Sequence, residues 1–237
     1  MNKPKISVVF PVYNEECIIE KTITSYYNEL KGKIDFEMII AEDGSTDGTK
    51  SILKKLKKKL PIRLYMSDER KGYLKAVKDS LKYPKYNWIF LVDSDYQFDP
   101  IDFWKLLRYA GEYDIILGKK IKREDRLHRV VLSKGFNFLL RLFFNVPFID
   151  MNTGFRLINR KVLDSVLRDI HCLKYFTSEL VIRAYYQNFK IKEVPVAHLE
   201  REKGNSNIFP IRRIPSVVIE ESIGLFKLKS ELTSKYS

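Results

Sequence analysis

The sequence predicts an α/β protein with a mainly parallel central sheet and helices on both of its faces. Three observations lead there. Short apolar runs alternate with amphipathic segments of helical length through the first half of the chain. That alternation is the pattern of a parallel sheet buried on both sides. Three of the apolar runs end in polar clusters, at Pro11–Glu15, Asp43–Ser45 and Asp93–Asp95. Ligands collect at the carboxyl edge of such a sheet.

The elements follow in order. "ISVVFPVY" is a buried strand, and "EECIIEKTITSYYNEL" a helix with Ile19, Ile23, Tyr26 or Tyr27, and Leu30 on one face, for which Asn14 reads as a cap. "EMIIAE" is the second strand. The turn "DGSTDGT" leads into a helix ending at Leu60, whose lysines from Lys54 to Lys59 read as a solvated face. "IRLYM" is a strand, Leu74 to Leu81 a short helix, and "WIFLV" a fourth strand. Asp99-Pro100 then opens a helix, with Asp as cap and Pro in the first helical position. "DIILG" is the fifth strand.

After Gly118 the pattern changes. "KKIKRED" is a charged connection, and Arg126 to Phe144 is helical in period, mixing aromatic with basic residues. "TGFRLINR" reads as a strand, "KYFTSELVIRAYYQN" as a helix and "FKIKEVPVAHLE" as a strand, followed by the loop "REKGNSN". A helical pattern from Ile211 to Leu232 closes the chain. We read residues 1–207 as a catalytic domain and 208–237 as an amphipathic tail that docks on a membrane surface or a partner.

The 237 residues suit one domain with a short appendage. A net charge of +13 points to nucleic acid, anionic membrane or phosphorylated substrates without choosing among them. The aromatics fall mostly on apolar periodicities and no nucleic-acid motif stands out, so a basic nucleic-acid-binding module is a remote alternative. Cys17 and Cys172 lack paired or metal-type spacing and read as reduced thiols of a cytoplasmic protein. The N-terminus runs straight into a strand, without a signal peptide. No apolar run reaches the roughly 18 residues of a spanning helix. The longest, "FNFLLRLFFNVPFI", is interrupted by Arg141. His128, His171 and His198 lack metal-ligand spacing and read as structural.

Asp93-Ser94-Asp95 carries the chemistry. Alternate residues of an extended strand point the same way. Two carboxylates so placed repel each other and call for a cation. Mg²⁺ or Mn²⁺ prefers oxygen ligands and leaves positions for phosphate oxygens. Gln97 is placed to add a neutral ligand or to touch the same phosphates. Asp43-Gly44-Ser45 reads equally as a turn, but three polar sets after three strands suit one crevice better than three unrelated turns.

"FPVYNEE", "AEDGSTDGT" and "LVDSD", in this order, resemble family-2 glycosyltransferases of the GT-A fold, the nucleotide-diphospho-sugar transferase fold. "RKGYLKAVKDSL" fits the same pattern. "DMNTGFRLINRKVL", "EVPVAHLEREKGNSN" and the helix with Ser133 and Asn137 resemble the dolichol-phosphate mannose synthase and polyprenyl-phosphate glycosyltransferase branch. The resemblance covers roughly residues 5 to 207. It implies that Pro11, Tyr13, Glu15 and Asp43 hold the nucleotide's base and ribose. It implies that Asp93, Asp95 and Gln97 hold Mg²⁺ or Mn²⁺ and the diphosphate, with Lys120 beside them. Arg129 and Arg201 match arginines that grip phosphate, with Ser133 near the acceptor. Asp95, Arg129 and Arg201 are the expected catalytic residues. Arginine is suited to this by its bidentate, charge-assisted bonds.

The chain departs from the branch in three places. Gly118-Lys119-Lys120 stands where Gly-x-Arg is common, Asn207 replaces a lysine, and "DSDY" replaces versions with smaller residues. Asp150, Thr153, Gly154 and Phe155 read either as a strand entry and core or as a wall of the sugar and acceptor site. Glu179 reads as a surface or capping carboxylate with no proton-transfer role.

The expectation is a metal-dependent inverting glycosyltransferase using GDP-mannose or a UDP-sugar. Its acceptor is a polyprenyl (dolichyl) phosphate at the cytoplasmic face of a membrane, which the protein meets peripherally or through a membrane-anchored partner subunit. Arg126, Arg129, Lys134 and Arg141 beside four phenylalanines form a basic amphipathic helix suited to that interface, and Arg212, Arg213, Lys227 and Lys229 extend the pattern into the tail. A helix buried in the domain with its arginines outward is the plainer reading of the first segment. The rival acceptor is a hydroxyl on a glycan or protein.

Overall fold

The apolar runs assemble into a seven-stranded sheet in the order β3-β2-β1-β4-β6-β5-β7. The strands are β1 (Ile6–Val12), β2 (Phe36–Glu42), β3 (Ile62–Met66), β4 (Trp88–Val92), β5 (Ile115–Ile121), β6 (Phe155–Asn159) and β7 (Ile191–Ala197). The computed structural model describes residues 4–121, 127–201 and 214–236, without the side chains of 127–129, 131–132 and 214–219. The parallel pairs are β1 with β2 and β4, β2 with β3, and β5 with β7. Only β6 runs against its neighbours, between β4 and β5.

Helices cover both faces, as expected. On one face α1 (Ile19–Leu30), α2 (Thr49–Lys59) and α4 (Phe103–Leu107) pack on Val8, Phe10, Ile40, Phe90 and Leu157. On the other lie α3 (Tyr73–Ser80), α5 (Leu127–Phe144), α6 (Arg160–Val166), α7 (Phe176–Tyr186) and α8 (Ile214–Tyr236), against Val9, Ile89, Leu91, Ile115 and Ile158. Adjacent strand residues serve opposite cores, which is why the strands read as unbroken apolar runs.

Several local expectations change. Asn14 is not a helix cap: α1 begins behind Ile18 with no side-chain cap, and Asn14 sits at φ +52°. Asp99 does cap, accepting from Ile101 N at 3.0 Å, but the element it opens is a 3-10 turn that passes into the five-residue α4. Helix α6, unmarked in the sequence reading, follows β6 directly, capped by Asn159. The lysines of α2 are a solvated face, with Leu53 and Leu56 inward. Both cysteines are free.

Helix α8 packs on the domain. Leu228 and Leu232 are buried in the same core as α7. Gly224 lies against the Cys172 carbonyl, where an added Cβ would stand 2.3 Å away. Glu179, which the sequence reading left between surface and cap, is fully buried. It accepts from the backbone N–H groups of His171, Cys172 and Leu173 and from Arg183, fixing the loop before α7. Arg183 in turn holds Glu231 of α8 at 2.6 Å, with His171 Nε2 at 3.0 Å from the same carboxylate. That network pins α8 to the loop. The proposed domain boundary near residue 207 lies outside the described residues.

Candidate active site

The crevice lies where β1, β2 and β4 end. Asn14 stitches two of the strand-end loops together. Its backbone N–H donates to Ser45 Oγ at 2.9 Å, and its Oδ1 accepts from Thr46 N at 2.8 Å. Glu15 N donates to Thr49 Oγ1 at 2.9 Å. This lacing accounts for the positive φ of Asn14, which small polar residues tolerate best. The "DGSTDGT" turn therefore serves as more than a turn, because it fixes the backbone that carries Glu15.

Asp43 accepts from Lys71 N at 2.8 Å and Gly72 N at 3.1 Å. It thereby sets the turn that starts α3, and each carboxylate oxygen keeps a lone pair for a ligand. Pro11 is half-buried in β1. Tyr13 stacks under the Arg70 guanidinium, 4.0 Å from the ring centroid.

Asp93 and Asp95 follow β4. Asp93 is held by its neighbour on the antiparallel strand side, its N–H donating to Gly154 O at 2.9 Å. The carboxylate lies on the Gly154 backbone: a Cβ there would stand 1.7 Å from Oδ2. Gly154 is thus the cradle that seats Asp93 at the entry to β6, which is the strand-entry reading of the sequence. Phe155 is core, packed on Phe90 and Phe98. Burial first, and then the neighbouring charge of Asp95, raise Asp93 above the usual carboxylate range. Burial likewise raises Asp95.

Three cations oppose this strain. Lys120, Arg156 and Arg201 each draw the pKa of Asp93 down. Lys120 also pairs with the buried Asp150, whose Oδ2 accepts from Lys120 N at 3.1 Å and whose Oδ1 lies 3.7 Å from Nζ. Arg201 reaches from the segment after β7 to Glu15, with Nη2 at 2.7 and 2.6 Å from the two carboxylate oxygens. Burial raises Glu15 to about 7 despite that partner, and the charges of Asp95 and Asp93 add to the rise.

Arg156 escaped the sequence reading. It is fully buried, and it donates to the carbonyls of Thr177 at 3.1 Å, Met151 at 3.4 Å and Thr153. Burial lowers its pKa to about 10, with Tyr73, Asp93 and Asp150 pulling the other way. Its Nε has no hydrogen-bond partner among the described residues. A guanidinium is costly to bury without a counter-charge, and the acids that balance it are those of the site. The signal available in the sequence was an arginine inside an otherwise apolar strand, "FRLI".

Gln97 is buried and docks the same segment as Arg201. Its Nε2 donates to Leu199 O at 3.2 Å, while Leu199 N donates back to Gln97 O at 2.9 Å. This leaves its Oε1 as the atom for the expected metal or phosphate contact. Ser133 lies on α5, and its carbonyl accepts from Asn137 Nδ2 at 2.9 Å. Asn137 Oδ1 accepts from Met151 N at 2.9 Å and so ties α5 to the loop bearing Gly154. The described bonds do not link Ser133 directly to the carboxylates. The side chain of Arg129, and Asn207, lie outside the described residues.

The donor set fits a hard divalent cation. Two strained carboxylates share the end of one strand, one of them seated by a glycine, and among the described residues they offer oxygen ligands. The structure therefore gathers Glu15, Asp93, Asp95, Lys120 and Arg201 at one edge, as expected, and adds Arg156 beneath them.

Comparison with known proteins shows the family and the fold. The profile of "Glycosyl transferase family 2" matches residues 7–167. Glycosyltransferase AglD of Haloferax volcanii is 30% identical over 89% of this chain and 35% of its own. The undecaprenyl-phosphate 4-deoxy-4-formamido-L-arabinose transferase of Enterobacter sp. (strain 638) is 29% identical over 89% of this chain and 64% of its own. The chain thus spans about a third of the first relative and under two thirds of the second. Among solved structures, glucosyl-3-phosphoglycerate synthase from Mycobacterium tuberculosis, in complex with Mn²⁺, UDP and phosphoglyceric acid, superposes with a TM-score of 0.74. It is 21% identical, over 95% of this chain and 78% of that one.

Proposed function

The chain belongs to glycosyl transferase family 2, and from that premise we propose a metal-dependent, inverting transfer of a sugar from GDP-mannose or a UDP-sugar to a polyprenyl phosphate. The protein is a glycosyltransferase with a GT-A-type fold. The observation that carries the finer reading is the strained pair Asp93 and Asp95, ringed by Arg201, Lys120 and the buried Arg156. Two acids suit a cation, and three further cations around them suit the phosphates it brings.

A bound Mg²⁺ or Mn²⁺ would be held by Asp93 and Asp95, with Gln97 at hand, and would neutralise the diphosphate leaving group. Tyr13, Glu15 and Asp43 line the nucleotide's side of the crevice. An acceptor phosphate oxygen attacks the anomeric carbon from the face opposite the diphosphate. The carbon–oxygen bond to the diphosphate breaks, and its electron pair leaves with the nucleotide. Arg201 and Lys120 stabilise charge on the phosphates. The nucleophile is already anionic, so the reaction needs no general base. Glu179 is spent on three backbone N–H groups, which agrees with a structural role.

The likeness to the undecaprenyl-phosphate transferase of Enterobacter supports an acceptor of the polyprenyl-phosphate class, and the Mn²⁺ and UDP of the mycobacterial complex support the metal and donor. None of the helices among the described residues is long and apolar enough to cross a membrane. A polyprenyl-phosphate acceptor would bring this domain to the cytoplasmic face of a membrane, where nucleotide-sugars are available, peripherally or through a membrane-anchored partner. A donor screen with a short prenyl phosphate, with Mn²⁺ or Mg²⁺ and with chelator, tests the reading. Metal-dependent formation of the prenyl-phosphate sugar is expected. Transfer to hydroxyl acceptors alone would replace the lipid phosphate with a glycan or protein.

A further inference from the structure

Helix α5 turns an apolar face outward. Phe138 is 61% exposed, Leu139 54% and Leu142 73%. Phe138 and Leu142 are four residues apart and stack on one face, with Lys134 a turn before them. The opposite side of the helix is in the core through Leu140 and Phe144. Of the four phenylalanines that suggested an amphipathic helix, then, only Phe138 points outward. Among the described residues one face of the segment is buried in the domain, as the plainer reading has it, while the other is apolar with Arg141 exposed at its border.

Helix α8 continues the patch. Ile223 is 65% exposed and Phe226 67%. The Phe226 ring meets Phe143 of α5 edge-on at 5.3 Å between centroids, and Lys229 Nζ donates to Phe143 O at 3.1 Å. The two helices thus join into one surface. Lys134 and Arg141 border it on α5 and Lys227 on α8, all exposed. No acidic residue occurs between Leu127 and Phe144. Glu220 is exposed on α8 and pairs with Lys174, and Glu221 is buried.

We propose that this joint face of α5 and α8 is a lipid-docking surface, in which Phe138, Leu139, Leu142, Ile223 and Phe226 enter the acyl boundary of an anionic membrane while Lys134, Arg141 and Lys227 meet its headgroups. Five large apolar side chains in water are unfavourable, and clustering distinguishes them from scattered exposure. Basic residues bordering an apolar stripe match a negatively charged interface, where the long side chains snorkel. This selects a lipid surface over a second copy of the chain, whose like-charged rim would repel. The proposal rests on the polyprenyl-phosphate reading only for its purpose, which is to bring the crevice to a membrane-borne acceptor.

The experiment is cosedimentation with phosphatidylcholine vesicles, with and without phosphatidylglycerol, at low and high salt. The variants are Phe138→Ser with Leu142→Ser, Phe226→Ser, and Arg141→Glu with Lys227→Glu. Wild type should bind the anionic vesicles, and each phenylalanine removed should weaken binding roughly tenfold or more. The charge variant should lose the preference for anionic lipid. All variants should transfer sugar to a soluble short prenyl phosphate at the wild-type rate. Unaltered vesicle binding by the apolar variants overturns the proposal, as does a wild type that ignores both vesicle types. Self-association of the wild type that Phe226→Ser abolishes would assign the face to a second copy instead. If vesicle binding behaves as expected but no prenyl phosphate is glycosylated, the docking surface stands and the acceptor reading fails.

Discussion

Arg201 donates from one nitrogen to both carboxylate oxygens of Glu15, at 2.7 and 2.6 Å, across 186 positions of sequence. The contact closes a bridge over Asp93 and Asp95, from the segment after β7 to the loop after β1. It also engages the arginine proposed to grip phosphate, so an incoming phosphate would compete for its guanidinium with Glu15, whose pKa burial raises to about 7. Protonation of Glu15 would take the charge assistance from that bond.

Arg201→Ala should impair transfer to a short prenyl phosphate by roughly ten- to a hundredfold, the equivalent of one charge-assisted contact of about 1.5–3 kcal/mol. Donor affinity should change less. Arg201→Lys should recover part of the rate, since it restores charge but not the planar fork. Calorimetry of donor binding beside transfer rates makes the comparison. Equal losses in both would move Arg201 to the donor.

Asp95→Asn should abolish metal-dependent transfer and yet stabilise the metal-free protein. In the folded state burial and mutual repulsion raise the pKa of Asp93 and of Asp95. A folded carboxylate raised above its unfolded value near 3.9 makes stability fall as pH climbs through that shift. Removing one charge relieves the other. In chelator the variant should melt higher than wild type at pH 7, by roughly 2–4 °C per kcal/mol recovered, and the gap should narrow by pH 4. Identical melting at pH 7 would show that the pair is not strained.

How much of this was legible in the sequence depends on distance along the chain. Strands such as β3 and β4 were readable to the residue because an apolar run bounded by turns is a local signal. The Asp93–Asp95 pair was readable for the same reason. Helix α6 was passed over: its seven residues begin directly after β6, leaving no loop to mark the change. The antiparallel placement of β6 is not a local property, since "FRLIN" reads alike in either direction. The seat of Asp93 on Gly154 and the charge of Arg156 beneath it follow from that placement. Asn14 was misread because its bonding partners, Ser45 and Thr46, lie more than thirty positions away.

Arg156→Lys tests the buried guanidinium. Lysine keeps the charge near Asp93 but concentrates its donors on one nitrogen, whereas the guanidinium reaches the Thr177 carbonyl from Nη1 and those of Met151 and Thr153 from Nη2. Each carbonyl left without a donor costs about 1–3 kcal/mol. The variant should melt several degrees lower, and its metal-dependent rate should fall because the loop that seats Asp93 loosens. Arg156→Met, which leaves those acids without their buried counter-charge, should be worse on both measures. A methionine variant as active as wild type would remove Arg156 from the site.

Gly154→Ala separates the position of a proposed metal ligand, Asp93, from its chemistry. The substitution leaves Asp93, Asp95 and every cation in place and adds one methyl group. That methyl would stand 1.7 Å from Oδ2 and 2.0 Å from Cγ of Asp93, so the carboxylate must swing away. The backbone bond from Asp93 N to Gly154 O at 2.9 Å can persist, and alanine is otherwise suited to the start of a strand, so the fold should survive. A misplacement of about 1 Å is enough to cost on the order of a hundredfold in rate. Transfer should fall by at least that factor at saturating donor, while metal titration reports a weakened site and the melting temperature stays close to wild type. Retained activity would mean that the seat of Asp93 on Gly154 is not needed for transfer, and would leave Asp95 as the proposed holder of the cation with other partners.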